Sequence, residues 1–453
     1  MKTKLSFFSL SLLLLTFLYS STPTHIAATQ SISQLPKLLA TETFILTEDM
    51  EVGLEIVARS PGASWVRKGA EASALSISVD GKDNQDLLLW AGKEFFNYRV
   101  MLGRLRKGKH TVSVSLNPAR SAAGAQSAEV KVLRPLPLGA ARTIADFDEE
   151  QLALAHSPFL YARANTIDRF TDIPLLMYYE ILREAGGVLI VRYTVIFTNE
   201  DGGTKTAALM ARWGRATDIE WVYQIRARDG KIIEETYQGV EHETKCFTGP
   251  RAGGGHPLLA VASDNNNFSD LACSAVRFAP LPIRARLEKA TRESVMDMYP
   301  QTYRVMTEEL IREQRISETL TDINHIADPR DYLYIEAGSE QEGATIAFDV
   351  KVSGQSRVFS SDMSDARLRI DRSGNFRSAV RLPKDVLPTM IETITARCDL
   401  RATTAGVGRC KHLTLLRALM LDQNYVPRQF PLQAQPESSL EAGQSLVFKL
   451  GQP

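Results

Sequence analysis

Residues 75–81 read Leu75-Ser76-Ile77-Ser78-Val79-Asp80-Gly81. Apolar residues at every second position turn one face of an extended chain toward a core, and Asp-Gly supplies the left-handed pair of a tight hairpin turn. The same alternation recurs downstream in Phe96, Tyr98 and Val100 and again in Val112, Val114 and Leu116, with the polar turn Arg106-Lys107-Gly108-Lys109 between them. The pattern predicts an N-terminal β-sandwich over residues 29–134.

Beyond it, Arg134-Pro135-Leu136-Pro137-Leu138-Gly139 reads as a stiff linker, since two prolines restrict the chain and remove backbone donors. A central β domain is expected over 140–320. Val188 to Thr198 is rich in β-branched and aromatic residues and ends in the turn Asn199-Glu200-Asp201-Gly202-Gly203. A further strand from about Thr217 to Arg226 runs into Asp229-Gly230, a second hairpin turn, so this region is antiparallel in style. Charged residues spaced among Leu287, Val295, Met296, Met298, Val305, Met306, Leu310 and Ile311 predict two amphipathic helices near 284–320, interrupted at Pro300. The methionines suit core filling better than a binding groove. Residues 321–453 return to strands, with Ile346, Phe348 and Val350 on one face, then Leu368 and Ile370, a turn at Ser373-Gly374 and a last strand at Leu446 to Leu450. This part either forms another sandwich or completes the central sheet. The chain therefore reads as mainly β, with two or three antiparallel β-sandwich-like domains and a short helical segment.

Met1 to Ala28 has the layout of a secretory signal peptide: Lys2 and Lys4, an uncharged apolar run from Leu5 to Tyr19, then small and polar residues. A membrane anchor is the competing reading, but the run is shorter than the roughly 20 residues that span hydrocarbon. An extracytoplasmic chain, secreted or periplasmic, with no transmembrane segment in its mature part is expected. Basic and acidic residues balance at 53 each, and removing Lys2 and Lys4 leaves a formal charge of −2. Nucleic acid is not an expected partner, because phosphate neutralisation needs a basic excess. Four cysteines in an oxidising compartment suggest two bridges, and proximity in sequence favours Cys246 with Cys273 and Cys398 with Cys410, although three connectivities exist.

The common catalytic signatures are absent: no G-x-S-x-G elbow, H-E-x-x-H, phosphate loop or dinucleotide fingerprint. Trp65 and Trp90 are candidate sugar-stacking platforms of the first sandwich, against the alternative that each fills a core. The informative segment is Trp213-Gly214-Arg215-Ala216-Thr217-Asp218-Ile219-Glu220-Trp221-Val222-Tyr223. Alternation along a strand puts Asp218 and Glu220 on one face, with Ile219, Trp221 and Tyr223 on the other. Two carboxylates about 7 Å apart can ligate a hard cation or share acid and base roles, or simply be solvated. His242, His256 and Asp264 lie in the loops that follow and are the candidates to complete such a site.

Gly214, Asp218 and Glu220 make the segment similar to the G-H-R-H-D-W-E heptapeptide of necrosis- and ethylene-inducing-like proteins and to the G-D-W-E segment of vacuolar-protein-sorting-62-like domains. Ala155-His156-Ser157-Pro158-Phe159-Leu160-Tyr161 resembles the opening H-x-P-x-x-Y segment of those domains. Gly255-His256-Pro257-Leu258-Leu259-Ala260-Val261-Ala262-Ser263-Asp264 is similar to their later strand and polar loop. The resemblance spans about 156–270 and implies a β-sandwich bearing a divalent-cation site used on membrane sphingolipid head groups. Carried over residue by residue, it gives Asp218 and Glu220 as cation ligands, whereas Arg215, Thr217 and Ile219 replace the two histidines and the tryptophan of the heptapeptide. A guanidinium at Arg215 is expected to compete for the carboxylates.

These readings predict a non-catalytic binding protein for a glycan, a cell surface or an envelope component. The alternatives are a divalent-metal-dependent hydrolase or lytic factor and a purely architectural envelope protein. The cofactor, if one is used, would be a divalent cation such as calcium or magnesium.

Overall fold

The computed structural model describes residues 35–140, 148–163, 173–200, 203–319, 322–433 and 436–450. The expected signal peptide, 1–28, lies outside the described residues. Seven strands build the N-terminal sandwich: β1 (Lys37–Leu46), β2 (Met50–Arg59), β3 (Ala74–Val79), β4 (Lys82–Leu88), β5 (Phe96–Leu105), β6 (Gly108–Leu116) and β7 (Glu129–Ala140). One sheet runs β1-β6-β3-β4 and the other β5-β2-β7. Asp80 and Gly81 both take positive φ, 51° and 74°, as the hairpin between β3 and β4 requires. The expected linker is the second half of β7, where Pro135 and Pro137 pair with Leu54 and Val52. Proline is tolerated there because β7 is an edge strand with one unpaired side.

The central part follows α1 (Glu149–Ala155) with β8 (Phe159–Tyr161), β9 (Leu176–Glu184), β10 (Val188–Asn199), α2 (Thr206–Trp213), β11 (Thr217–Arg228), β12 (Lys231–Gln238), β13 (Thr244–Cys246), β14 (Arg251–Ala252), β15 (His256–Val261), β16 (Phe268–Ser269), β17 (Arg277–Phe278) and β18 (Ile283–Arg284). A six-stranded sheet, β13-β12-β11-β10-β9-β18, packs against a smaller one, β14-β15-β8-β17 with β16 on β15. Tyr193, Phe197, Tyr223 and Ile225 from the first sheet and Leu160, Leu259 and Phe268 from the second share one core. The other face of the large sheet is covered too: Tyr178, Ile196 and Ile219 pack with Leu209 and Met210 of α2 and with Tyr303, Met306 and Leu310. This double coverage explains why β10 is a nearly continuous apolar run.

Of the two expected helices, the first, α3 (Ser294–Asp297), is a single turn and the second, α4 (Gln301–Arg312), starts directly after Pro300 at its N-cap. Met296 and Met306 are core residues, as their spacing suggested. The short helices α1 and α2 carried no sequence expectation. The remaining strands are β19 (Tyr332–Glu342), β20 (Ala344–Val352), β21 (Phe359–Ser360), β22 (Gly374–Arg381), β23 (Ile391–Leu400), β24 (Arg409–Leu421), β25 (Pro427–Gln429), β26 (Ser438–Glu441) and β27 (Ser445–Lys449). They form two sheets, β22-β19-β24-β25 with β26 and β21-β20-β23-β27, around a core of their own. The C-terminal part therefore builds sheets of its own and does not complete the central sheet, while Tyr332, Tyr334 and Leu419 also join the core shared with the N-terminal strands. Leu368 and Ile370 do not form the expected strand: Leu368 ends a 3-10 turn and Ile370 makes one bridge to Ile346.

A buried ionic hub ties this sandwich to the helical segment. Arg377 of β22, wholly buried, donates to Glu336 of β19 at 2.5 Å and to Asp297 of α3 at 2.6 Å. Arg417 of β24 donates to Glu336 Oε2 at 2.7 Å, and Thr291 Oγ1 to Glu336 Oε1 at 2.7 Å. Burial works against the Glu336 charge, but Arg377 and Arg417 outweigh it and hold the carboxyl at about 2. Helix α2 packs on β22, and Ser378 Oγ donates to the Ala211 carbonyl at 2.6 Å.

Candidate functional site

Strand β11 carries the segment that sequence reading singled out. Its pairing with β10 shifts register: Tyr223 opposes Tyr193 and Trp221 opposes Thr194, so Val222 is the extra residue of a β-bulge. The bulge ends the simple alternation. Asp218 and Glu220 share a face as expected, but Tyr223 turns into the inter-sheet core beside Val222, while Ile219 packs in the core on the other side. Trp221 stays half-buried under the Arg192 guanidinium, 5.9 Å from the ring centroid.

Asp218 is 2% exposed and accepts a 2.8 Å hydrogen bond from Asn266 Nδ2. Burial, reinforced by the Glu220 charge, pushes its carboxyl up to about 7. Glu220 accepts from Gln238 Nε2, and burial raises its carboxyl as well. Glu200, at the end of β10, is raised by burial and by Asp218. Three acids thus crowd one end of the central sandwich. His242 stands at the mouth, 53% exposed, with Nδ1 accepting from Gln238 Nε2 at 2.7 Å and lying 3.7 Å from Glu220 Oε2. Asn265 Nδ2 is 2.8 Å from His242 Nε2, and Asn267 Nδ2 is 3.4 Å from Nδ1. The walls are the β12–β13 turn, where Glu241 and His242 adopt positive φ of 62° and 60°, and the Asn265–Asn267 loop. Two carbonyl oxygens in these walls, Gln238 Oε1 and Asn266 Oδ1, are buried without a hydrogen-bond donor.

No family model matches the chain, and no curated protein matches it. Two solved structures align with parts of it. The C-terminal domain of EclA, a sugar-binding protein, is 19% identical over 22% of this chain and 68% of that one, with a TM-score of 0.18. A ruminal GH26 endo-beta-1,4-mannanase is 15% identical over 28% of each chain, with a TM-score of 0.17. Alignments at this level carry no weight for fold or activity.

The other expected site residues lie elsewhere. His256 sits at the opposite end of β15 from the Asn265–Asn267 loop, completely buried, with Nε2 2.9 Å from Glu51 Oε2 and Nδ1 donating to the Ser157 carbonyl at 2.8 Å. It joins the N-terminal and central sandwiches and stacks on Phe159. Asp264 is 69% exposed and pairs with Arg163. Arg215 forms its ion pair with Glu293, at 3.1 Å, and not with the two carboxylates, although its charge still works against the upward shift of Asp218 and Glu220. Trp65 and Trp90 are 2% and 3% exposed, which removes both as surface sugar platforms; Trp65 Nε1 donates to the Trp90 carbonyl at 2.8 Å. Cys398 and Cys410 are bridged as expected, whereas Cys246 and Cys273 are exposed free thiols. Among the described residues no three Asp, Glu, His or Cys side chains form a metal-holding group by themselves. The partners that sequence reading missed are Glu200, Gln238, Asn265, Asn266 and Asn267; only the run of three asparagines was a visible signal.

Proposed function

We propose that the protein is an extracytoplasmic, non-catalytic binding protein whose central sandwich engages a hydroxyl-rich ligand, of the glycan class, through a divalent cation of the calcium or magnesium type held at Asp218 and Glu220. The observation that carries this reading is the surplus of buried oxygen acceptors: two carboxylates beside the donorless carbonyls of Gln238 and Asn266. Hard cations take oxygen ligands from carboxylates and amide carbonyls, and the orientation of an Asn or Gln amide adjusts to what it faces. Glu220, His242 and Asn265 at the mouth would meet the ligand itself. Exposed aromatic platforms, the other expected mode of sugar binding, are not offered by Trp65 or Trp90.

The test is calorimetric titration of calcium, magnesium, manganese and zinc into the parent and the Asp218→Ala, Glu220→Ala double variant, followed by glycan-array binding with and without chelator. The expected result is saturable heat with calcium or magnesium that vanishes in the double variant, together with chelator-sensitive glycan binding. Metal heat that survives in the double variant refutes the site; glycan binding indifferent to chelator refutes the bridging role. The likeness of Gly214, Asp218 and Glu220 to the necrosis-inducing heptapeptide favours one second reading, a metal-dependent lytic factor, and metal-dependent leakage of sphingolipid vesicles would select it.

A further inference from the structure

A cleft of about 790 Å³ lies where the N-terminal sandwich meets the central one and shares no lining residue with the Asp218 site. Its floor is a cluster of rings: Trp90 lies 4.8 Å from Phe96 and 5.8 Å from Tyr98, and Phe96 lies 4.9 Å from Tyr98, centroid to centroid. Leu138 of β7, Ile283 of β18 and Tyr299 complete walls drawn from separate parts of the chain. Each of these three is only partly buried, so the cleft presents them to an occupant.

Both arginines and the aspartate that line it are already paired within the protein, which leaves Glu150 at its edge as the one lining charge without an ion pair among the described residues. Arg99 pairs with Glu55 at 3.2 Å, Arg284 with Glu149 at 2.8 Å and Asp86 with Arg120 at 2.6 Å. Gln85 spends its amide on the Met101 carbonyl and the Ala279 N–H, and Asn97 donates to Glu55. An anionic ligand would find no unpaired arginine, a cationic one would find only Glu150 at the edge and not on the ring floor, and a free sugar would find few unspent hydrogen-bonding groups. The size falls within the range of pockets that hold one small molecule, and a junction between domains is where such pockets concentrate.

The geometry points to a second binding site, between Leu138, Ile283, Tyr299 and the Trp90 floor, for one uncharged and largely apolar molecule such as an acyl chain or a fused-ring compound. The neutral dye 1-N-phenylnaphthylamine tests it. The expected result is saturable binding with one dye per chain, with tryptophan-to-dye energy transfer that falls in Trp90→Phe. Decanol should displace the dye and disaccharides should not. Leu138→Arg and Ile283→Arg, each placing an unpaired charge on a partly buried wall, should weaken binding at least tenfold while melting temperature confirms folding. The Asp218→Ala, Glu220→Ala double variant should bind the dye as the parent does. Absence of saturable binding, or equal binding by both arginine variants, overturns the site; displacement by disaccharides instead of decanol overturns the ligand class.

Discussion

Gly214 lies directly on the side chain of Arg377: a β-carbon at Gly214 would stand 2.7 Å from Arg377 Cγ and 2.8 Å from its Cδ. Gly214 also closes α2 in the left-handed region, φ 62°, with its N–H on the Met210 carbonyl at 2.9 Å. The glycine of the heptapeptide match is thus explained by helix termination and by contact with the ionic hub. Gly214→Ala is expected to destabilise the fold by about 2–4 kcal/mol, combining left-handed strain with overpacking, as read from chemical denaturation.

Removing one partner from the hub leaves a buried charge uncompensated. Glu336→Gln should cost about 3–5 kcal/mol, because Asp297 is then the one carboxylate among the described residues left to balance both Arg377 and Arg417. Replacing Arg377 and Glu336 together with methionine and leucine should recover much of that loss. A double-mutant cycle in guanidinium measures both.

Asp218 and Glu336 should give stability two opposed pH limbs. The Asp218 carboxyl, raised from 3.8 to about 7, makes the native state bind the extra proton, so stability rises as pH falls from above 7 toward 4. The Glu336 carboxyl, depressed from 4.5 to about 2, contributes stability that is complete above 4.5 and lost as pH falls toward 2. Melting temperature against pH, measured in chelator, should peak between these limbs. The upper limb should flatten in Asp218→Asn.

At pH 7.5 without metal, Asp218→Asn should melt several degrees above the parent, since it removes a buried charge beside Glu220. The same variant should lose the calcium or magnesium heat. A fall in melting temperature together with retained heat would contradict the account of the site.

The Cys398–Cys410 bridge spans 12 residues, so its reduction should lower stability by about 2–3 kcal/mol in the loop-entropy account. Cys246 and Cys273 should react with a thiol reagent in the native state. Counting two reactive thiols before unfolding checks the assignment.

Much of the architecture was legible. The alternation in β3, β5 and β6 and the turns at Asp80-Gly81 and Asp229-Gly230 follow from local sterics, which a sequence carries in full. Strand β7 was not legible, because its prolines signal a break unless the strand is known to lie at a sheet edge. The bulge at Val222 reversed the face of Tyr223, since one unpaired residue shifts every later side chain. Asp218 and Glu220 were legible as a pair, but Gln238 and Asn266 reach them only through tertiary folding. The Cys246–Cys273 pairing failed because nearness in sequence does not bring two side chains into bridging distance.

The core that holds Leu54 and Trp65 of the N-terminal sandwich also contains Tyr303, Tyr332, Leu419 and Tyr425. Synthesis runs from the N-terminus, so the first sandwich emerges with part of its apolar surface uncovered and waits for nearly the whole chain to be made. Until Tyr425 arrives, the nascent protein is an unfinished client for holding chaperones. A fragment ending after β7 would inherit that sticky surface permanently, and so would the C-terminal sandwich made alone, because Tyr332, Leu419 and Tyr425 face the shared core.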